Sequence, residues 1–205
     1  MKNKLMLWEI ALMAGILCAM FWSCWVEKEQ EDLAERIVRL HVIANSDSVE
    51  DQTLKLQVRD RILAESEQLY IDSMTREEAC EQLKSHLDAL AEAGKSVVEN
   101  AGYSYSVTAQ LTKCWFPTKE YEDFALPAGE YGALQIIIGE GKGQNWWCVA
   151  FPPLCVGVAS QDVDDAVQAG YFTQEQACLL AREEPKYVLK FKSMELLGQW
   201  KEKFF

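Results

Sequence analysis

Between Ile10 and Val26 the chain carries no charge, and Leu5 to Trp8 extend the apolar run behind a single Glu9. At about 1.5 Å per helical residue the uncharged part spans roughly 25 Å, and the run from Leu5 to Val26 about 33 Å. The hydrocarbon core of a bilayer is about 30 Å thick, so residues 5–26 are expected to contact and cross a membrane. Lys2 and Lys4 precede the run, whereas Glu27, Glu29, Glu31 and Asp32 follow it with only Lys28 against them. The Lys and Arg bias holds the N-terminus in the cytoplasm and sends the remainder across. Residues 1–26 therefore read as a signal peptide or transmembrane anchor, 27–35 as a linker, and 36–205 as a single exported domain. A signal-peptidase site needs small residues in an A-x-A-like arrangement. Ala19-Met20-Phe21-Trp22-Ser23-Cys24-Trp25 offers bulky ones, which favours a retained anchor.

The 205 residues carry a net charge of −12, and the segment up to Val26 holds Lys2, Lys4 and Glu9. Subtracting that +1 leaves −13 on the exported part. Such a surface repels a phosphate backbone, so no nucleic-acid partner is expected. Seven cysteines suit an oxidising compartment; Cys18 and Cys24 lie in the apolar run, leaving Cys80, Cys114, Cys148, Cys155 and Cys178. Five is odd, so at least one is expected to stay free or to pair between chains. Spacing makes Cys148 and Cys155 the closest candidates for a disulfide. No C-x-x-C occurs, and no metal or cofactor is expected.

Hydrophobic periodicity places the elements. Ile37 to Ile43 is β-branched and partly alternating, as in a strand. Ser48 with Asp51 resembles a capping box, and Leu54, Val58 and Ile62 recur every four residues in a helix to about Leu69. Thr75 with Glu78 is a cleaner box, opening a second helix with Ala79, Leu83, Leu87 and Leu90 on one stripe. The pattern then turns to β: Tyr103 to Ala109, Leu111 to Phe116, Leu134 to Ile138 and Trp146 to Phe151. Gly139-Glu140-Gly141-Lys142-Gly143 between the last two predicts a hairpin turn using positive φ. A helix from Thr173, a strand from Lys186 to Lys192 and a terminal helix after Ser193 complete the chain. The fold class expected is α+β, a mainly antiparallel sheet covered by a helical hairpin and a C-terminal helix, preceded by the N-terminal export helix.

Catalytic constellations are missing from the sequence. The glycine run is neither G-x-x-x-x-G-K-[ST] nor G-x-G-x-x-G, and only His41 and His86 can serve as imidazole bases. His41 lies in a strand and His86 beside a helical leucine stripe. Cys148 in a hydrophobic strand is inert or bridged in most such settings. No catalytic residue is assigned and the chain is not expected to be an enzyme. The densest unusual feature is Asn145-Trp146-Trp147-Cys148 followed by Phe151-Pro152-Pro153. Adjacent strand residues face opposite ways, so one tryptophan can sit in the core and the other on the opposite surface, unless helices cover both faces. An exposed aromatic on a stiff Pro-Pro loop makes Asn145, Trp146, Trp147, Phe151, Pro152 and Pro153 a candidate protein-binding patch.

Several segments together resemble the stage II sporulation protein R family. They are Arg39-Leu40-His41-Val42-Ile43-Ala44-Asn45-Ser46-Asp47-Ser48 with Glu50-Asp51-Gln52 and Val58-Arg59-Asp60, then Phe116-Pro117-Thr118-Lys119 and Leu126-Pro127-Ala128-Gly129-Glu130-Tyr131. Ile138 to Gly143, Asn145 to Val149, Phe151 to Cys155 and Lys190-Phe191-Lys192 continue the likeness. Val49 stands where the family pattern has proline. The resemblance implies export from the forespore into the space between forespore and mother cell. There the family's protein activates a membrane-embedded aspartyl protease of the mother cell, which removes the pro-segment of pro-sigma-E. An exported envelope enzyme, a wall hydrolase or a thiol-dependent one, is the alternative from another class.

Overall fold

The computed structural model describes residues 2–70, 74–121, 124–154 and 171–172. They fall into two units, Met1–Leu33 and Ala34–Phe205. The first is a helix, α1 (Lys2–Ala34), along which Ile10, Leu12, Met13, Ile16, Leu17, Met20 and Phe21 are exposed. Among the described residues no helix is long and apolar enough to cross a membrane.

The second unit opens with β1 (Val38–Ile43), followed by α2 (Val49–Glu67), α3 (Arg76–Ser85) and α4 (Leu87–Asn100). Then come β2 (Val107–Phe116), the short β3 (Lys119–Glu120) and β4 (Ala125–Leu126), β5 (Gly129–Ile138) and β6 (Asn145–Phe151). The α+β class follows the sequence. Ser48 caps α2 by accepting from the Asp51 amide, and both halves of the Thr75–Glu78 capping box form on α3. The expected helical hairpin is instead three helices, because His86 leaves the helical region (φ −112°, ψ 12°) and divides the second one. The two strand segments expected after Tyr103 merge into the single β2. The predicted helices from Thr173 and Ser193 and the strand Lys186–Lys192 lie outside the described residues.

The four-stranded sheet has the order β2-β5-β1-β6. β2 with β5 and β1 with β6 are antiparallel, while β1 and β5 run parallel at the centre. Val38, Leu40 and Val42 of β1 and Leu134, Ile136 and Ile138 of β5 meet Leu54, Val58 and Ile62 of α2, Ala79 and Leu83 of α3, and Leu90 and Val98 of α4. Burying a Leu, Ile or Val side chain contributes about 1.5–3 kcal/mol, so this layer is the main source of stability. A separate two-stranded ladder pairs Lys119 with Leu126 and Glu120 with Ala125.

The hairpin expected between β5 and β6 is not there: β1 lies between them. Residues 139–144 must cross two inter-strand spacings, about 10 Å, and they do so over the end of β1. Gly139 and Gly141 do take positive φ, +58° and +62°. The crossing works because the link bonds to the loop beneath it. Lys142 and Gly143 amides donate to the Asn45 and Ala44 carbonyls (3.2 and 2.9 Å), the Glu140 amide to Asn45 Oδ1 (3.0 Å), and the Gln144 amide to Asp47 Oδ1 (2.7 Å). Gly143 packs so closely that a Cβ there would run into the Ser46 carbonyl.

Asp51 holds that loop in turn. Its carboxylate is buried and accepts from Asn45 Nδ2 (2.9 Å) and Ser46 Oγ (2.6 Å). Burial raises its pKa, but hydrogen bonds from Ser46, Asn45 and Tyr105 outweigh that and keep it below the usual carboxylate range. Lys55 completes the tie from α2, donating to the Gln144 carbonyl (2.9 Å). Asp51→Ala, which strips buried donors of their acceptor, is expected to cost about 3–5 kcal/mol. Gly143→Ala, meeting rigid backbone, is expected to cost about 1–3 kcal/mol. Urea unfolding of the full chain checks both; wild-type stability in either variant would show that the loop is not held this way.

Candidate functional site

Arg39 and His41 alternate with the core residues of β1 and so point to the sheet face away from the helices. Register sets His41 beside Gln135 on β5 and Trp147 on β6, and Gln135 beside Gln110 on β2. Four strands thus place Gln110, Gln135, His41 and Trp147 in one row. Trp147 stacks on the imidazole, with ring centroids 3.9 Å apart and planes at 20°.

The row is hydrogen-bonded along its length. Gln110 Nε2 donates to Gln135 Oε1 (2.6 Å), leaving Gln135 Nε2 to face His41 Nδ1 (3.1 Å). An amide nitrogen can only donate, so Nδ1 accepts and the imidazole proton resides on Nε2. Nε2 then donates to Asn145 Oδ1 at 2.9 Å. Burial pushes the His41 pKa below the usual imidazole range, against a smaller opposing effect of the Asn145 bond. A second ring proton would also meet the Gln135 amide head-on, so the neutral form is the one this row fits.

Two residues along β1, Arg39 is fully buried with 0% exposure. Its guanidinium lies over the Phe116 ring (4.2 Å) and near that of Tyr131 (5.1 Å). Nε donates to the Cys148 carbonyl (3.4 Å) and Nη2 to the Tyr121 hydroxyl (2.7 Å). That hydroxyl donates onward to the Trp147 carbonyl (3.2 Å), and Tyr121 stacks on Phe124 (4.5 Å). Burial pushes the Tyr131 phenol up to about 12, with Arg39 pulling the other way. Among the described residues the Arg39 Nη1 group has no hydrogen-bond partner.

The six residues of the candidate patch do not share one surface. Trp146 points toward the helix side, where it is 36% exposed and Arg59 of α2 lies over its ring (4.5 Å). Trp147 is half-buried on the opposite face, and Asn145 is exposed at the start of the strand. A register shift between Val38 and Arg39 carries Phe151 into the helix-side core, edge-on to Tyr70 (5.1 Å). Pro152 is buried beyond a cis Phe151–Pro152 peptide, and Pro153 is half-buried. Cys148 is buried in the core; Cys155, its suggested disulfide partner, lies outside the described residues. Among the described residues no cluster of three or more His, Cys, Asp or Glu side chains is placed to hold a metal ion. Arg39, Gln135 and Gln110 escaped the sequence reading as site members. The signal was present for Arg39 alone: a cation and a histidine alternating through an otherwise β-branched strand.

The segments Arg39–Ser48, Glu50–Gln52, Ile138–Gly143 and Asn145–Val149 are therefore brought together around β1 and the loop that follows it. The chain matches the family model described as Stage II sporulation protein R (spore_II_R) over residues 34–161, well over half its length, and it belongs to that family. It is 37% identical over 147 residues to the stage II sporulation protein R of Bacillus subtilis (strain 168), covering 70% of this chain and 66% of that protein. No solved structure matches the chain.

The neutral histidine makes stability depend on pH in a definite sense. In the unfolded chain His41 takes up a proton as pH falls through about 6.5, whereas the folded chain resists it until the lower folded pKa. Its contribution is thus fully present above about 6.5 and declines as pH falls from there toward the folded value. Between pH 7.5 and 5.5, urea unfolding of His41→Gln is expected to lose less stability than wild type. Equal losses in the two proteins would show that His41 titrates as freely folded as unfolded.

Proposed function

We propose that this chain is an exported signalling protein of sporulation that works by binding. It leaves the forespore through residues 5–26, acts in the space between forespore and mother cell, and activates a membrane-embedded aspartyl protease that processes pro-sigma-E. Membership of the stage II sporulation protein R family carries this reading. Two further features support it. The apolar side chains of α1 are exposed in numbers, which suits a lipid environment, and Lys2 and Lys4 precede them. On the domain, Asn145 and Trp146 present an amide and a large aromatic to solvent on β6, which is held in register against β1. Such an anchor loses little entropy on docking.

The reading is tested by co-expressing the full chain, the protease and pro-sigma-E in a non-sporulating host, with cleavage followed on a gel. Cleavage is expected only when the chain is present with its N-terminal segment. Trp146→Ala is expected to lower cleavage about thirtyfold, the effect of losing about 2 kcal/mol at an anchor, while the melting temperature stays near wild type. Cleavage without this chain, or undiminished after residues 1–26 are removed, would overturn the reading.

A further inference from the structure

A histidine whose two ring nitrogens are both hydrogen-bonded can change charge only if its neighbours change roles. His41 is in that position: Nε2 bonds to Asn145 Oδ1 (2.9 Å) and Nδ1 to Gln135 Nε2 (3.1 Å), with Trp147 stacked on the ring. The Nε2 side is indifferent to charge, because it donates to the Asn145 oxygen whether the ring carries one proton or two. The Nδ1 side is not. A proton there needs an acceptor where the Gln135 amide nitrogen stands, and the amide can supply one by turning over. Its last torsion is roughly two-fold, so oxygen and nitrogen exchange places with little movement. Gln135 Nε2 then faces Gln110, whose own Nε2 has been donating to Gln135 Oε1 (2.6 Å), so Gln110 must turn as well. Gln110 is exposed and has room to do so.

We propose that this row is a proton-driven switch: when His41 takes up a second proton, the Gln135 and Gln110 amides turn over together and the direction of donation between β1 and β2 reverses. In the neutral row Gln110 ends with its carbonyl oxygen toward solvent; in the protonated row it ends with its NH2 group. The outer end of the row changes from acceptor to donor, while every bond within it is kept and no strand has to move. Acid throws the switch, since burial holds the ring neutral until the pH is below the usual imidazole range. Among the described residues, the titratable or charged groups on this face are Arg39 of β1, Cys114 of β2, Tyr131 of β5, and Tyr121, whose hydroxyl bonds to the Trp147 carbonyl. The β6 side chains on it, Asn145, Trp147 and Val149, do not titrate. Guanidinium, thiol and phenol groups keep their protons below neutral pH, so His41 is the group on this face that changes charge there.

The test is side-chain NMR of the full, detergent-solubilised, ¹⁵N-labelled chain, titrated from about pH 7.5 to about 4.5 to bracket the ordinary imidazole value. The amide signals are identified by their loss in Gln110→Met and Gln135→Met, and the imidazole by its loss in His41→Gln. Both amide signals are expected to shift with the His41 midpoint. In Gln135→Met the Gln110 signal is expected to stand still while His41 continues to titrate. A Gln110 signal that does not move in wild type overturns the proposal. So does one that moves as far in Gln135→Met, because the charge then acts through space and not along the row. A His41 that stays neutral until the chain unfolds also overturns it. If Gln135→Met does not fold, the Nδ1 proton of the wild-type imidazolium decides. Bonded to Gln135 Oε1 it is protected from exchange with water and is seen; in a row that merely breaks it exchanges and is lost.

Discussion

The buried carboxylate of Asp51 is the tie on which the arrangement of this domain depends. One side chain accepts from Asn45 and Ser46 after β1 while its own amide is capped by Ser48 at the start of α2. Asn45 passes the constraint on, since its Oδ1 receives the Glu140 amide of the glycine link. The end of the central strand, the first turn of the first covering helix and the connection to β6 are thereby fixed against each other. Hydrogen bonds to a buried charge contribute more than neutral ones, and their number offsets the cost of taking the carboxylate out of water.

That tie decides what the opposite face can carry. Once the link passes over β1, β6 must lie outside it, and the register puts Trp147 against His41 and the Cys148 carbonyl beside Arg39. A true hairpin between β5 and β6 would have moved β1 to another place and separated these groups. The face is unusual for an acidic domain. The row Gln110, Gln135, His41 and Asn145 is uncharged, and Arg39, two residues along β1 from His41, lies against the Phe116 and Tyr131 rings. Neutral amides and a neutral imidazole bonded head to tail give a polar surface with one direction of donation, set by the imidazole.

Local chemistry was legible from the residues alone. The Thr75–Glu78 box and the Ser48 cap formed as expected, because capping joins groups three residues apart and needs no distant partner. The strand at 38–43 and the stripe Leu54, Val58, Ile62 followed from periodicity. So did the opposed directions of Trp146 and Trp147, since the side-chain alternation of a strand is a covalent property. The family segments were likewise visible before any fold was known.

What the sequence could not reveal were the relations between distant segments. A glycine-rich link between two β-patterns is equally consistent with a hairpin and with a crossing; a strand placed about a hundred residues earlier made the choice. The break at His86 is invisible to a heptad-like stripe that continues through it. Phe151 left the face that alternation assigns it because a register shift against Val38 turned it into the core. Arg39 and His41 looked like ordinary members of a strand until β5 and β6 enclosed them. Sequence determined the elements and their caps, whose energies are local; tertiary structure alone decided strand order and the buried charge, which depend on what lies across the sheet.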